Sequence, residues 1–233
     1  MRFLSWNCNG AFRKKIGHLP PLDVMVILEA ENPEKMQIKS DYRIIWRGDN
    51  KSKGVGIFYR DSIQMEIHDT YDSRFRYIIP IQITAPVKLI LFAIWAMNNT
   101  QDRMRRYIGE VFLALSHYNE LLRKPCIIAG DFNWNLIWDT SLYYPLYGTL
   151  NEVIKLLERH TIKSIFHESN KQKFGKETSP TFYLYRKENR SYHTDYIFAS
   201  SELLECVNSF SMGSYSKWRK WSDHMPLFVE FDL

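Results

Sequence analysis

Short apolar stretches of four to seven residues recur along the chain, and most of them end at polar or turn-forming residues. β-branched and aromatic residues are frequent in these stretches, a composition that indicates β-strands. The pattern therefore predicts strands at residues 3–6, 24–28, 43–46, 55–59, 77–83, 89–95, 126–129, 181–185, 196–199 and 227–231.

Two longer segments follow a helical pattern instead. Within residues 103–123, apolar side chains such as Met104 and Ile108 recur at intervals of three or four, which places them on one face of a helix. The same spacing recurs over residues 150–159. Residues 168–178 form the most polar stretch of the chain, and we expect a surface loop there.

The order of these elements decides the fold class. Strands outnumber helices and do not alternate with them, so a Rossmann or barrel plan is not expected. The pattern instead predicts an α+β protein in which two packed β-sheets are flanked by helices. No linker rich in Pro, Gly or Ser divides the chain and no period repeats, so we expect one domain over residues 1–233.

Composition and charge narrow the function only slightly. Hydrophobic residues make up 45% of the chain and charged residues 24%, as in ordinary globular proteins. The 31 Lys and Arg residues exceed the 26 Asp and Glu residues and give a net charge of +5. This mild basic excess is compatible with a polyanionic partner.

Neither the cysteines nor the apolar runs indicate export or a membrane. Cys8, Cys126 and Cys206 are odd in number and far apart, so we expect neither a disulfide framework nor a thiolate metal cluster. The most apolar run, residues 89–97, is far shorter than the ~20 residues of a membrane helix. The first residues lack the long apolar core and the small-residue cleavage site of a secretory signal peptide. We therefore expect a cytoplasmic protein with no membrane association and no obligate protein partner.

Acidic, amide and imidazole side chains adjoin four of the predicted strands. Strand ends present side chains from a rigid scaffold, so several ends can converge on one site. Taken singly, each group has an ordinary explanation as a turn, a solvated carboxylate or a helix cap. Their combination favours a site of oxygen ligands, which suits a hard cation such as Mg²⁺ or Mn²⁺. The groups are Asn7 with Asn9, Glu29, Asp131 with Asn133, and Asp223 with His224.

These segments resemble the motifs of the endonuclease/exonuclease/phosphatase superfamily, which includes exonuclease III, apurinic endonucleases and pancreatic deoxyribonuclease. Residues 2–10 resemble the opening of exonuclease III, residues 23–29 the strand that ends in the metal-binding glutamate, and residues 130–133 the central motif. Residues 193–198 resemble the strand with a buried aspartate, and residues 222–224 match the terminal signature. The resemblance implies a four-layer α/β/β/α sandwich of two mixed β-sheets flanked by helices.

The resemblance also implies which residues bind metal. Glu29 is the expected central carboxylate, supported by Asn7 and by Asp223 near the same Mg²⁺, for which Mn²⁺ is a possible substitute. Asn9 occupies a position at which relatives carry Asn or Asp beside the metal. Glu31, two residues beyond Glu29, is the weaker candidate for the same role.

For the chemistry, the resemblance implies that Asp131 orients and deprotonates the attacking water and that Asn133 holds a phosphate oxygen beside it. His224 is expected to bond a non-bridging oxygen and stabilise the charge of the transition state. Asp195 is expected to hold the His224 imidazole in place and to favour its charged form.

The segment around Trp95 departs from the family pattern. Trp95 stands where apurinic endonucleases place a tyrosine and deoxyribonuclease a histidine, whereas Asn98 matches an asparagine of the family. An indole donates one hydrogen bond but cannot accept or shuttle a proton. The contact to the phosphate or to the leaving group is therefore expected to differ at Trp95.

Three basic clusters, one of them interleaved with aromatic residues, adjoin the motifs and favour nucleic acid as the substrate. For any single cluster, a solvated charged face is the ordinary alternative. The expected substrate-binding residues are Lys217, Arg219, Lys220 and Trp218 before the terminal motif, Arg186 and Lys187 before the strand with the buried aspartate, and Arg13 after the first motif.

We therefore predict a Mg²⁺- or Mn²⁺-dependent nuclease, endonuclease or exonuclease, that hydrolyses DNA in preference to RNA by in-line attack of a water activated by Asp131. Two alternatives stay open. One is a small-molecule phosphatase of the same superfamily, acting on an inositol phosphate or a nucleotide, although the Cys-Asp-Arg segment typical of inositol polyphosphate phosphatases is absent. The other is an inactive nucleic-acid-binding module with this fold, which the complete set of motif residues opposes.

Overall fold

The computed structural model describes residues 1–36, 41–140 and 145–233. Within these ranges the chain forms fourteen strands and six α-helices, joined in places by short 3₁₀ turns. The strands are β1 (Arg2–Asn7), β2 (Val24–Ala30), β3 (Tyr42–Asn50), β4 (Lys53–Arg60), β5 (Gln64–Ile67), β6 (Ile78–Ala85), β7 (Leu89–Trp95), β8 (Cys126–Asp131), β9 (Ile162–Ser164), β10 (Phe182–Tyr183), β11 (Ser191–Tyr192), β12 (Asp195–Ser200), β13 (Val207–Met212) and β14 (Leu227–Phe231). The helices are α1 (Pro33–Met36), α2 (Ile108–His117), α3 (Leu150–Glu158), α4 (Ile165–Asn170), α5 (Ser201–Glu205) and α6 (Tyr215–Trp218).

Twelve of these strands form two six-stranded sheets. The first sheet has the order β13-β14-β1-β2-β4-β3 and the second the order β5-β6-β7-β8-β12-β9, while β10 and β11 form a separate hairpin. The pairs β1–β2 and β7–β8 are parallel, and their other neighbours are antiparallel. Two mixed sheets flanked by helices confirm the predicted α+β sandwich.

Three hydrophobic clusters hold the layers together. Because side chains alternate along a strand, one face of each sheet points inward, and Val26 and Ile57 of the first sheet share a core with Leu91 and Ile127 of the second. On its outer face the second sheet packs against α2 and α3. The outer face of the first sheet is covered by the segment around Phe12 and by α6. The two sheets are thus packed face to face, and each has a covered outer face.

The helix predicted over residues 103–123 is interrupted. α2 covers only its middle, and separate 3₁₀ turns occupy its two ends. Tyr107 has a left-handed φ of 49°, which an α-helix cannot contain, and a Cβ on Gly109 would meet the Met104 carbonyl oxygen at 2.2 Å. The helix therefore starts only after this turn. Among the described residues, no helix is both long and apolar enough to span a membrane.

The predicted strands agree with the structure except at residues 181–185, where β10 is only two residues long. It ends in a 3₁₀ turn because Tyr185 has a left-handed φ of 56°. Residues 168–178 begin inside α4 before the expected loop. Strands β5, β9, β11 and β13 and the helices α1, α4, α5 and α6 were not predicted, since they are short or alternate too few apolar residues to give a clear period.

Candidate active site

The motif residues meet at one end of the two sheets, where several strands end or begin. β1, β2 and β8 end there, and β12 and β14 begin there because they run antiparallel to β8 and β1. The register sets Asp195 opposite Asp131 across β12 and β8, and Asp131 opposite Trp95 across β8 and β7. Strand pairing thus brings side chains from distant parts of the sequence into one cluster.

The turn after β8 fixes the side chains of the Gly-Asp-Phe-Asn motif. Gly130 has a φ of 151°, and a Cβ there would lie 1.8 Å from the Ile94 carbonyl oxygen, so this position requires glycine. Asp131 is fully buried; its Oδ1 accepts the Asn133 backbone N–H at 2.8 Å and its Oδ2 accepts the Asn133 amide at 3.0 Å. The same amide donates to the Ala96 carbonyl at 2.9 Å. The carboxylate is therefore locked in one orientation.

Polar groups surround Asp131 despite its burial. The Asn7 amide donates to Asp131 Oδ2 at 3.1 Å, and His224 Nε2 lies 3.9 Å from the same oxygen. Burial raises the pKa of the Asp131 carboxyl, which the His224 charge and the hydrogen bonds from Asn7 and Asn133 partly oppose. A raised pKa brings a carboxylate nearer the range in which it accepts a proton during turnover.

His224 is paired with a second buried carboxylate. Its Nδ1 lies 2.9 Å and 3.1 Å from the two oxygens of Asp195, whose backbone N–H donates to Thr181 Oγ1 at 3.0 Å. Trp6 Nε1 donates to the His224 carbonyl at 2.9 Å and fixes the backbone. Burial acts to lower the pKa of His224, but Asp195 and Asp131 outweigh it and raise that pKa above its ordinary value. The imidazole is therefore held in its charged form.

A second group of side chains lies at the ends of β1 and β2. Glu29 has a left-handed φ of 58° in a β-bulge against β4, a feature that redirects a side chain. The Asn7 amide lies 3.4 Å from Glu29 Oε1, and Asn7 Oδ1 accepts the Asn9 backbone N–H at 3.1 Å. The Asn9 amide donates to Asp223 Oδ1 at 2.5 Å. Hydrogen bonds thus link the four residues that the sequence predicts as metal-binding.

The donor chemistry of this group fits a divalent cation. Glu29 and Asp223 supply carboxylates, which are ligands that Mg²⁺ and Mn²⁺ prefer, and Asn7 carries an amide oxygen that is bonded to the Asn9 backbone N–H in this structure. The Glu29 side chain is 17% exposed, so a cation can reach it from solvent. Its charge is balanced in the structure by the Lys53 ammonium, 2.5 Å from Oε2. A cationic group therefore already occupies one side of this carboxylate.

Another set of candidate ligands fits a metal less well. Asp131, Asp195 and His224 place one ligand atom each within 4.8 Å of one another. However, His224 Nδ1 is bonded to Asp195, and the raised pKa keeps the imidazole protonated, so neither nitrogen has a free lone pair. We therefore regard the group around Glu29 as the better candidate for a metal site.

Glu31, the weaker candidate for the metal carboxylate, is engaged elsewhere. It is buried and forms an ion pair with Arg13, one of the residues predicted to bind substrate. The Arg13 side chain is still 42% exposed. Glu29, and not Glu31, is thus the carboxylate that contacts Asn7.

Trp95 and Asn98 line a cavity of about 500 Å³ beside the cluster. Trp95 is 5% exposed and packs against the Tyr77 ring at a centroid distance of 5.0 Å, while Asn98 is exposed. Arg74 and Arg76 form part of the same wall. The cavity adjoins the Gly-Asp-Phe-Asn motif through the register of β7 and β8, but Asp131 does not line it.

The predicted substrate-binding residues divide into two kinds. Trp218 is an error of the sequence interpretation: it is 5% exposed and packs edge-on against Trp6 at 5.3 Å, so it cannot stack on a base. It points inward because α6 seals the outer face of the first sheet. The cations that remain exposed, and thus available to a polyanion, are Lys217, Arg219, Lys220, Arg186, Lys187 and Arg13.

Several residues of the site were not found from the sequence. Thr181 accepts two backbone N–H groups at the start of β12, Ser222 Oγ donates to the Asn7 carbonyl at 2.7 Å, and Lys53 pairs with Glu29. Ser222 belongs to the terminal motif of residues 222–224, and its position before Asp223 is the signal that the sequence offers. Thr181 and Lys53 reach the site through strand pairing and carry no local signal.

Comparisons with known proteins show the family that the chain matches and the solved folds that it resembles. Residues 4–224 match the Endonuclease/Exonuclease/phosphatase family. An AP endonuclease from Archaeoglobus fulgidus superposes with a TM-score of 0.73 at 19% identity, with 100% of each chain covered. A 3′ phosphatase from Neisseria bound to product DNA hairpin gives 0.72 at 18% identity, again with 100% of each chain covered. AP endonuclease LMAP from Leishmania major gives 0.67 at 14% identity, with 98% of this chain and 86% of that one covered. A search of curated proteins finds no match.

Proposed function

The chain belongs to the Endonuclease/Exonuclease/phosphatase family, and on that basis we propose that it is a divalent-metal-dependent phosphodiesterase that hydrolyses nucleic acid, with DNA preferred to RNA. The observation that carries this proposal is the buried carboxylate of Asp131, held by Asn7 and Asn133 and lying 3.9 Å from the charged His224. Such an arrangement combines a base and a cationic group around one reacting phosphate.

In this proposal Asp131 orients the attacking water and takes its proton. The hydrogen bonds from Asn133 leave the carboxylate a single orientation, and the raised pKa increases its affinity for that proton. The Asn133 amide lies next to Asp131 and is suited to a phosphate oxygen. In-line attack requires this alignment, because a nucleophile held in position has already lost the freedom that it would otherwise lose in the transition state.

His224 is proposed to stabilise the negative charge that develops on the non-bridging oxygens. Asp195 engages Nδ1, so Nε2–H is the donor that faces the site. Since the imidazole is charged before substrate binds, no proton needs to be transferred to create the stabilising cation. Asp195 acts as a positioning residue that keeps both the ring orientation and the charge.

Glu29 and Asp223, with Asn7 and Asn9, are proposed to hold Mg²⁺, with Mn²⁺ as a substitute. When bound, the cation supplies positive charge to the phosphate and to the departing oxygen. The role of this chain is to orient the two carboxylates: the bulge directs Glu29, and the Asn9 amide fixes Asp223.

The path of the substrate is proposed to follow the exposed cations around the cluster. Lys217, Arg219 and Lys220 lie on one side, and Arg186 and Lys187 lie on the hairpin turn after β10. The solved structures that this chain resembles include a 3′ phosphatase bound to a DNA hairpin and AP endonucleases, which supports DNA as the partner. Asn98, which is exposed, is proposed to contact the strand beside the scissile phosphate from the neighbouring cavity, whose wall the buried Trp95 ring supports.

The proposal is tested on a panel of substrates. Purified protein is incubated with end-labelled single- and double-stranded DNA and RNA, an inositol phosphate and a nucleotide, in Mg²⁺, Mn²⁺ or EDTA. We expect metal-dependent cleavage of nucleic acid that His224→Ala abolishes. Release of inorganic phosphate from a small ester, with every nucleic acid intact, would instead establish the small-molecule phosphatase.

A further inference from the structure

Lys53 is the cation nearest to the proposed metal-binding carboxylate. Its Nζ lies 2.5 Å from Glu29 Oε2, on the side of the carboxylate opposite the Asn7 amide, which faces Oε1. β4 pairs with β2 through Gly54 and Ala30, so the bulge at Glu29 turns its carboxylate toward the first residue of β4. The contact is therefore built by the sheet and does not depend on a flexible loop.

The Lys53 ammonium has capacity for a second partner. Within the part of the chain that the structure describes, Glu29 is its single recorded hydrogen-bond and ion-pair partner, whereas an ammonium can donate three hydrogen bonds. The Lys53 side chain is 48% exposed and Glu29 only 17%. The ammonium thus stands at the solvent side of the carboxylate, where a ligand can reach it.

The surface beyond Lys53 is also basic. A cavity of about 600 Å³ is lined by Ser52, the residue before Lys53, and by Arg13, Lys35 and Lys51 together with Glu31. Lys51 belongs to the turn that leads into β4, and its carbonyl accepts the Asn32 N–H at 3.2 Å. Cations therefore continue from Glu29 along one side of the site, as an extended polyanion requires.

We propose that Lys53 is a substrate-positioning residue whose ammonium exchanges Glu29 for a phosphate oxygen of the nucleic acid when a divalent cation binds. This inference rests on the proposed function. Two cations on one carboxylate repel each other, so binding of the divalent ion weakens the contact between Lys53 and Glu29. The released ammonium remains at the rim and binds the phosphate as a point charge.

The exchange predicts opposite effects on metal and on substrate. Lys53→Met keeps the length of the side chain and removes its charge, so Glu29 loses a competing cation. We expect Mg²⁺ to bind this variant severalfold more tightly in titration calorimetry without nucleic acid. At saturating Mg²⁺, KM for an oligonucleotide is expected to rise about tenfold, because one charge-assisted contact is lost. A merely structural role would not move the two affinities in opposite directions.

Two further variants complete the test. Lys53→Arg keeps the positive charge, so its KM should stay close to the wild-type value. Lys163→Met is the matched control, since Lys163 is also half-exposed on a strand and paired with a carboxylate, Glu168, at 3.7 Å. In binding measured on an Asp131→Asn background, Lys53→Met should reduce the slope of log K against log salt by about one.

The outcomes separate this inference from the proposed function. If wild-type protein cleaves nucleic acid while Lys53→Met leaves both metal affinity and KM unchanged, Lys53 has no such role and the proposed function stands. Weaker Mg²⁺ binding by Lys53→Met would also overturn the exchange, because Lys53 would then support the metal site. A wild-type protein that neither binds nor cleaves nucleic acid overturns both.

Discussion

Replacing Lys15 by methionine is expected to destabilise the fold and weaken the metal side of the site together. The Lys15 ammonium is buried and donates to the Cys8 carbonyl and, at 2.6 Å, to the Gly10 carbonyl. These carbonyls belong to the turn that carries Asn9, in which three consecutive residues have φ values of 52°, 72° and 51°. Left-handed residues other than glycine cost about 1–2 kcal/mol each, so this turn needs its internal donor.

The magnitude follows from the two carbonyls. A buried acceptor without a donor costs about 1–3 kcal/mol, so losing both bonds costs roughly 2–6 kcal/mol. Burial lowers the pKa of Lys15, which means that the wild-type protein bears a desolvation cost for the ammonium. Removing that cost in the variant offsets part of the loss of the two hydrogen bonds. We expect a net loss of about 2–4 kcal/mol in the free energy of unfolding, or roughly 4–16 °C in Tm for a domain of this length.

Urea unfolding and thermal melting measure this loss, with Lys14→Met as the control because Lys14 is the exposed neighbour. The surviving folded fraction of Lys15→Met should also bind Mg²⁺ more weakly, since Asn9 loses its support. A Lys15→Met protein with the Tm and Mg²⁺ affinity of Lys14→Met would refute the assigned role of the buried ammonium.

Three further predictions concern the catalytic cluster. Gly130→Ala should lower the free energy of unfolding by more than about 3 kcal/mol, measured by urea unfolding, because its Cβ would strike the Ile94 backbone. Asp195→Asn removes the largest of the three carboxylate contributions, from Asp195, Asp131 and Asp223, that raise the pKa of His224, so the alkaline limb of kcat/KM should move to lower pH; an unchanged limb would contradict this. Burial lowers the pKa of His193 from 6.5 to about 4. The contribution of this neutral imidazole to the free energy of unfolding is therefore complete above pH 6.5 and is lost as pH falls toward 4. Wild-type protein should therefore lose about 3 kcal/mol more stability than His193→Gln between pH 7 and pH 4, measured by urea unfolding at each pH.

The sequence predicts most of the scaffold because it depends on local patterns. Apolar strands that end in Asn7, Glu29 and Asp131 are visible as short runs followed by polar residues, and the structure places these three side chains in one cluster. The two-sheet sandwich follows from the order of strands and helices. Both inferences need only the spacing of apolar residues along the chain and the tendency of strand ends to present functional side chains.

What the sequence did not predict depends on register and on burial. Lys53 reaches Glu29 because β4 pairs with β2 across a bulge, and no spacing along the chain encodes that contact. Trp218 lies among basic residues in the sequence, yet one turn of helix directs it against Trp6 while Lys217 stays exposed. A mixed aromatic and basic run therefore identifies a surface segment without separating its core side from its solvent side.

The central claim is that Asp131 activates water for metal-dependent hydrolysis of nucleic acid. The most direct measurement compares the initial rate of cleavage of a labelled oligonucleotide by wild-type protein and by Asp131→Asn at saturating Mg²⁺, with folding of both checked by circular dichroism. Asn is isosteric with Asp but accepts no proton, so we expect the variant to retain its fold and to lose about a thousandfold in rate. An Asp131→Asn protein that cleaves at the wild-type rate would contradict the account.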